Sequence, residues 1–169
     1  ELPKHTVNII SENGETKEIK VTKGQNRKIS ILPNIGYQYL SMTCTTDEDI
    51  KYNPETQEVE INNINENTTC NVVFEKMEGY DEGPVVTLSQ NGTSEYQKEV
   101  STKVDIETKI GDLKEETIKY IVSDNKDAEA TEPLTKGQEL IISEVSGIYY
   151  IIVESCNSID ICSRFVSEP

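Results

Sequence analysis

Several residue types are scarce in this 169-residue chain, and their scarcity excludes several kinds of site. The sequence has no tryptophan, two phenylalanines and one histidine, His5. A Ser-His-Asp or Cys-His catalytic arrangement needs a histidine as base, and no G-x-S-x-G motif is present. The glycine-rich motifs that hold phosphates are absent as well. We therefore expect no enzyme active site, no bound cofactor and no nucleotide.

Basic residues and long apolar runs are also scarce. The net charge is −15, with 16 Lys and Arg against 31 Asp and Glu. Such a chain repels phosphate, so we expect no nucleic-acid partner. No apolar run approaches the roughly 20 residues of a membrane span, so we expect no direct membrane insertion. The missing initiator Met and signal peptide favour a fragment of a longer secreted protein, monomeric as a fragment.

What the chain does contain is four cysteines, at Cys44, Cys70, Cys156 and Cys162. With no C-x-x-C motif and one histidine, they favour a disulfide framework over a metal site. Disulfides persist in oxidising compartments, which predicts an extracellular protein, secreted or attached to the cell wall. Four cysteines allow three connectivities, and the count alone does not choose among them.

The remaining residues predict an all-β chain of two domains. Ile, Val and Tyr dominate the apolar residues, which favours strands, and no stretch keeps a helical period for three turns. Alternation stops in the Gly- and Pro-containing stretch around 76–84, which is typical of a linker. We therefore expect a β module over 1–78, a linker over 79–83 and a second β domain over 84–169.

In the first half, the alternation of the strands indicates one disulfide. Cys44 is predicted to share an apolar face with Leu40 and Met42, and Cys70 to share one with Val72. A core disulfide between Cys44 and Cys70 is then natural. Closing a loop of about 27 residues stabilises by roughly 3 to 4 kcal/mol in the chain-entropy model. Upstream, an Asn-Gly pair at 13–14 predicts a tight hairpin with positive φ values.

The first half resembles a known family over residues 5–76. The motifs are HTVNIISENG, then KVTKGQNRKISILPNIGYQY with its P-x-x-G-Y corner, and the closing NINENTTCNVVFEK. Their order is similar to that of the divergent internalin B-repeat domains on surface proteins of low-GC Gram-positive bacteria. The resemblance implies a small β-sandwich or β-grasp-like module that serves as a stalk or spacer and has no catalytic residues.

In the second half, short strands recur at spacings near ten residues, with turn residues between them, which predicts a β-sandwich. The segment 148–153 is apolar on both parities. A strand that is apolar on both faces is usually covered on both, so this one is expected in the middle of a sheet.

This half resembles the bacterial immunoglobulin-like domains over residues 84–167. The resemblance rests on PVVTLSQNG, KVDIETKIGDLKEETIKYIVSD and TKGQELIISEVSGIYYIIVESCNSIDIC. The positions that match the family's strand and cysteine spacing are Gly147, Tyr149, Tyr150, Cys156 and Cys162. Asp160 and Ile161 stand where the family usually has Gly-Asn. The resemblance implies a Cys156–Cys162 disulfide across this turn, contributing about 2 kcal/mol because the loop is short.

These observations favour a non-catalytic stalk, spacer or adhesive segment of a bacterial surface protein, with an unknown protein or glycan as partner. Three alternatives stay open. Tyr37, Tyr39 and Tyr52, if exposed, could stack on sugars in a carbohydrate-binding module. The acidic loop 47–49 offers oxygen ligands for calcium but lacks the EF-hand spacing. The domains could also be accessories of an extracellular enzyme encoded elsewhere in a longer chain.

Overall fold

The computed structural model describes residues 1–93, 95–143 and 145–169, and it confirms the predicted all-β class. Every regular element among these residues is a strand. The chain divides into two compact units, Glu1–Glu78 and Gly79–Pro169. Each unit is a pair of sheets around its own core.

The first unit has seven strands in two sheets. They are β1 (Lys4–Glu12), β2 (Lys17–Thr22), β3 (Arg27–Ser30), β4 (Tyr37–Cys44), β5 (Asp49–Asn53), β6 (Glu58–Asn62) and β7 (Thr68–Lys76). The larger sheet has the order β2-β1-β7-β4 and the smaller one β3-β6-β5. Strand β5 begins within the acidic stretch 47–49 that the sequence analysis treats as a loop, and it places Ile50 and Tyr52 in the core.

The core of the first unit is made by both sheets. Val7, Ile9 and Phe74 come from the larger sheet, and Tyr52 and Ile61 from the smaller one; each of these five is at most 8% exposed. The Tyr52 ring meets the Phe74 ring edge to face at 5.5 Å between centroids. Aromatic side chains bury large apolar areas, so this contact is a principal link between the two sheets.

The pairing of β1 with β7 is parallel, whereas the other strand pairs of this unit are antiparallel. The ladder runs from Val7 opposite Thr68 to Glu12 opposite Val73. The first and last strands of the unit are therefore hydrogen-bonded neighbours in the middle of the larger sheet.

A β-bulge in β4 corrects one predicted face. The register between β4 and β7 shifts between Tyr39 and Ser41. A bulge inserts one extra residue and reverses the parity of the strand beyond it. Leu40 is therefore 53% exposed, while Tyr39 and Met42 pack on the core, so the prediction that Leu40 shares the face of Met42 and Cys44 is wrong.

The turn after β1 uses Gly14 for a different reason from the predicted one. Asn13 has φ +63°, but Gly14 is not in the left-handed region. A Cβ added at Gly14 would lie 2.4 Å from Cε2 of Phe74. The glycine is needed because the backbone crosses directly over the aromatic ring.

The second unit contains the other strands. They are β8 (Val85–Leu88), β9 (Glu99–Glu107), β10 (Leu113–Ser123), β11 (Glu132–Pro133), β12 (Glu139–Ser143), β13 (Tyr150–Asn157) and β14 (Cys162–Val166). One sheet has the order β12-β9-β8 and the other β11-β10-β13-β14. The prediction that the segment around 148–153 lies mid-sheet is confirmed, because β13 pairs with both β10 and β14 and buries Ile151, Ile152 and Val153.

The first and last segments of the second unit also run side by side in the same direction. At one end the Ser163 hydroxyl donates a hydrogen bond to the Pro84 carbonyl. At the other end the Thr93 N–H donates to the Pro169 carbonyl at 2.9 Å. A Cβ added at Gly83 would meet the Cys162 backbone at 2.7 Å, so the chain preceding β8 packs closely on the start of β14.

Candidate functional site: the disulfide-bonded strands

The first disulfide joins Cys44 of β4 to Cys70 of β7. The two residues are direct partners in the antiparallel ladder, with Cα atoms 4.0 Å apart. Cys70 is fully buried and belongs to the core. On the other side of β7, Cys70 lies opposite Ile9 of β1. The disulfide is thus attached to a strand of the parallel ladder, at the end opposite to the chain's exit from β7.

The second disulfide joins Cys156 of β13 to Cys162 of β14, again between direct cross-strand partners. Cys156 is half-buried and Cys162 is exposed. None of the four cysteines is free. Two disulfides in a chain of this size indicate an oxidising compartment.

The turn between β13 and β14 is held by one asparagine. The Asn157 side-chain oxygen accepts hydrogen bonds from the N–H groups of Ile159 and Ile161, at 3.1 and 3.0 Å. Asp160 has φ +62°, so it takes the left-handed conformation that a glycine would take most easily. Asp tolerates this conformation better than most residues, and its carboxylate also pairs with Lys114. That hydrogen bond raises the pKa of Lys114.

Arg164 ties a loop to the outer face of the β13–β14 sheet. Its guanidinium donates hydrogen bonds to the carbonyls of Lys126 and Ala128, at 2.7 and 2.9 Å, and pairs with Glu154. The Lys126 ammonium in turn lies 4.8 Å from the centroid of the Tyr150 ring. The loop 124–131 therefore lies across the face of the sheet that carries Ile152, which is fully buried.

The sequence reasoning did not identify Arg164, although a signal was present. It is one of two arginines in the chain and lies two residues after Cys162, so alternation puts it on the same face as that cysteine. A forked donor on the outer face of a sheet is well suited to hold backbone carbonyls of a covering loop.

The three tyrosines considered for sugar binding belong to the core and do not form a platform. Tyr52 is 8% exposed, and its hydroxyl donates a hydrogen bond to the Ile31 carbonyl at 2.9 Å. The Tyr39 ring stacks on it with centroids 4.7 Å apart, and Tyr37 packs against the same core. Burial raises the pKa of Tyr52, with smaller contributions from Glu15 and Tyr39. Tyr52 is buried and Tyr37 and Tyr39 are half-buried, so the exposure that sugar stacking requires is not met at these positions.

The acidic loop 47–49 has a structural use for one carboxylate. Glu48 accepts hydrogen bonds from the N–H groups of Asn65 and Glu66, at 3.2 and 3.1 Å. Asp49 is the first residue of β5. Within the described ranges, no group of three His, Cys, Asp or Glu side chains is placed to hold a metal ion.

Described residues of the second unit form an apolar groove with an exposed tyrosine beside it. Its volume is about 460 Å³, and Tyr96 at its rim is 78% exposed. The described residues that line it include Val100, Ile142, Ile148, Tyr149 and Pro169. An apolar groove beside a tyrosine can accept the apolar face of a sugar ring or an apolar side chain.

Comparison with known proteins adds no relative. No family model matches the chain, and neither a curated protein nor a solved structure is significantly similar to it. The described residues also contain no helix with the length and hydrophobicity that a membrane span requires.

Proposed function

We propose that this chain is a non-catalytic spacer or stalk segment of a secreted or wall-attached bacterial surface protein. The observation that carries the proposal is the repeated design of the two units. Each has its own two-sheet core, its own cross-strand disulfide, and first and last segments that lie side by side and run in the same direction. In such a unit the chain enters at one end and leaves at the other, as suits a unit that separates the segments on either side of it.

Covalent reinforcement supports a use outside the cell. Small domains bury a limited apolar area, and small extracellular domains are commonly stabilised by disulfides as well. Here the sequence separation of the paired cysteines is 26 for Cys44–Cys70 and 6 for Cys156–Cys162. The acidic surface, with a net charge of −15, favours solubility.

Within this proposal, the sequence resemblances support a module type for each unit. The second unit packs a three-stranded sheet on a four-stranded one, with hydrogen bonds between its first and last segments, which suits an immunoglobulin-like domain. The first unit, with its P-x-x-G-Y corner at 33–37 leading into β4, is proposed as a B-repeat-like module.

A replacement experiment tests the spacer role. The chain is placed between a cell-wall anchor and a terminal epitope, and antibody access to the epitope on whole cells is measured. Deletion of the chain should reduce access, and an unrelated two-domain β segment of similar length should restore it. If only the native sequence restores access, the chain acts through a specific contact and the spacer proposal is wrong.

The groove of the second unit is the one observation that favours carbohydrate or host-glycan binding as a second candidate. Tyr96 is exposed next to an apolar cavity, as a sugar-stacking residue must be. A glycan array with the native chain and the Tyr96→Ala variant tests it, with Ile141→Ala as an exposed control. Binding that Tyr96→Ala alone abolishes would favour this candidate.

A further inference from the structure

We propose that the first unit is built to bear tension, with the β1–β7 ladder as its mechanical clamp and the Cys44–Cys70 disulfide as a limit on its extension. The use of this property in a cell rests on the proposed spacer function, whereas the property itself belongs to the chain alone.

The clamp follows from the direction of the two terminal strands. Tension on the chain enters β1 at Lys4 and leaves β7 at Lys76. Because β1 and β7 are parallel, these two points are at opposite ends of the ladder. The load therefore shears the hydrogen bonds between Val7–Thr68 and Glu12–Val73 together, whereas a load applied at one end would break them in succession. The ladder is also central, with β2 and β4 bonded to its outer sides.

The second unit has a weaker form of the same arrangement. Its terminal strands β8 and β14 belong to different sheets, and hydrogen bonds such as Ser163 to Pro84 and Thr93 to Pro169 tie the segments that contain them. No registered ladder joins β8 and β14 over their described residues. Under the same tension the second unit should therefore yield before the first.

The disulfide limits what is released if the clamp breaks. The segment that Cys44–Cys70 closes contains β5 and β6 in full. These residues stay out of the line of force while the disulfide is intact. Reduction of the disulfide adds the closed segment to the extended chain, and the two cysteines are 26 positions apart in sequence. At about 3.5 Å per residue this lengthens the extended unit by about 90 Å. The corresponding gain for Cys156–Cys162, with a separation of 6, is about 20 Å.

Single-molecule force spectroscopy on the full chain tests the proposal. Azide-bearing residues replace exposed positions as attachment points, so the four cysteines are unchanged. Attachment at positions 4 and 78 loads the ladder in shear, and attachment at positions 4 and 66 loads it from one end, since Glu66 just precedes β7. Forced unfolding reports the unfolding rate. We expect the unfolding force to be several-fold higher with attachment at 4 and 78 than with attachment at 4 and 66. With attachment at 4 and 78, the extension on unfolding should grow by about 90 Å after reduction.

A third attachment, at positions 1 and 169, compares the two units directly. The weaker event should gain about 20 Å on reduction and the stronger one about 90 Å, which assigns each event to its unit. The clamp would be overturned by equal unfolding forces for the 4–78 and 4–66 attachments. It would also be overturned if the weaker event in the 1–169 attachment gained about 90 Å. An unfolding length that reduction does not change would overturn the limit on extension. Each of these results leaves the spacer role to be decided by the epitope experiment.

Discussion

At the scale of single residues, Gly14 lies against the Phe74 ring with no room for a side chain. A methyl group at Gly14 would meet the ring and also approach the Leu32 carbonyl at 3.0 Å. Overpacking of this kind costs about 1 to 3 kcal/mol. We therefore expect Gly14→Ala to lower the free energy of unfolding of the first unit by that amount, measured by urea titration. The exposed neighbour Glu12→Ala should change it by less than about 0.5 kcal/mol. An equal effect of both variants would contradict the close contact.

Tyr52 makes the first unit sensitive to alkaline pH. Its folded-state pKa is raised because burial disfavours the phenolate. The unfolded chain loses this proton near pH 10, whereas the folded unit keeps it to higher pH. The contribution of Tyr52 to the free energy of unfolding should therefore be constant below pH 10. Above pH 10 the free energy of unfolding should fall as the pH rises.

The measurement is the free energy of unfolding between pH 8 and 11 for the native chain and for Tyr52→Phe. The variant should lose part of the alkaline decline. It should also be less stable at neutral pH by about 1 to 2 kcal/mol, because the buried Ile31 carbonyl loses its donor. An identical alkaline decline in both proteins would show that Tyr52 does not ionise on unfolding.

At the scale of elements, the loop 124–131 depends on one side chain. Arg164 supplies two hydrogen bonds to its carbonyls, and such charged hydrogen bonds contribute about 1.5 to 3 kcal/mol when desolvated and less when partly exposed. If Arg164→Gln costs the loop about 1.4 kcal/mol, its open population rises about tenfold. We expect trypsin to cut at Lys126 about tenfold faster in this variant, because cleavage follows the open population.

Arg27→Gln is the matched control for that experiment, since Arg27 is exposed in the other unit. Cleavage at Lys126 is followed by mass spectrometry of the intact chain. A rate that rises equally in both variants would mean that the guanidinium of Arg164 does not hold the loop.

Local sequence patterns predicted where strands occur better than they predicted which strands pair with each other. Alternation around Cys44 and around Cys70 indicated the strands that the structure has as β4 and β7, and the doubly apolar run around 148–153 correctly indicated the middle of a sheet. The face that carries Cys70 and Val72 was also predictable, because β7 keeps strict alternation. These features depend only on the period of two along a strand.

Other features depend on partners distant in sequence and could not be predicted in this way. The bulge at Tyr39–Ser41 exists to keep both tyrosine and methionine on the core, and only the register with β7 shows it. Strand β5 has the same alternation as β6, but only the contacts across the core show that Tyr52 fills the space between the sheets. The parallel pairing of β1 with β7 joins the two ends of the unit, and no local pattern encodes it.

At the scale of the whole molecule, each disulfide lies within one unit, and each unit has its own buried cluster. A disulfide stabilises chiefly by restricting the unfolded chain that it closes, so its loss should affect the unit that contains it. Replacing both cysteines of a pair by serine avoids a free thiol. We expect C44S/C70S to destabilise the first unit by about 3 to 4 kcal/mol and C156S/C162S the second by about 2 kcal/mol.

Hydrogen exchange followed by mass spectrometry at increasing urea measures the two units separately, because peptides from β7 and from β13 report their own units. In C44S/C70S the β7 peptides should lose protection at lower urea while the β13 peptides keep their native midpoint, and C156S/C162S should give the reverse. The larger shift belongs to the first pair because it closes the longer segment. If either double variant moves both midpoints together, the two units unfold as one cooperative body, and a spacer made of separately stabilised modules is the wrong description.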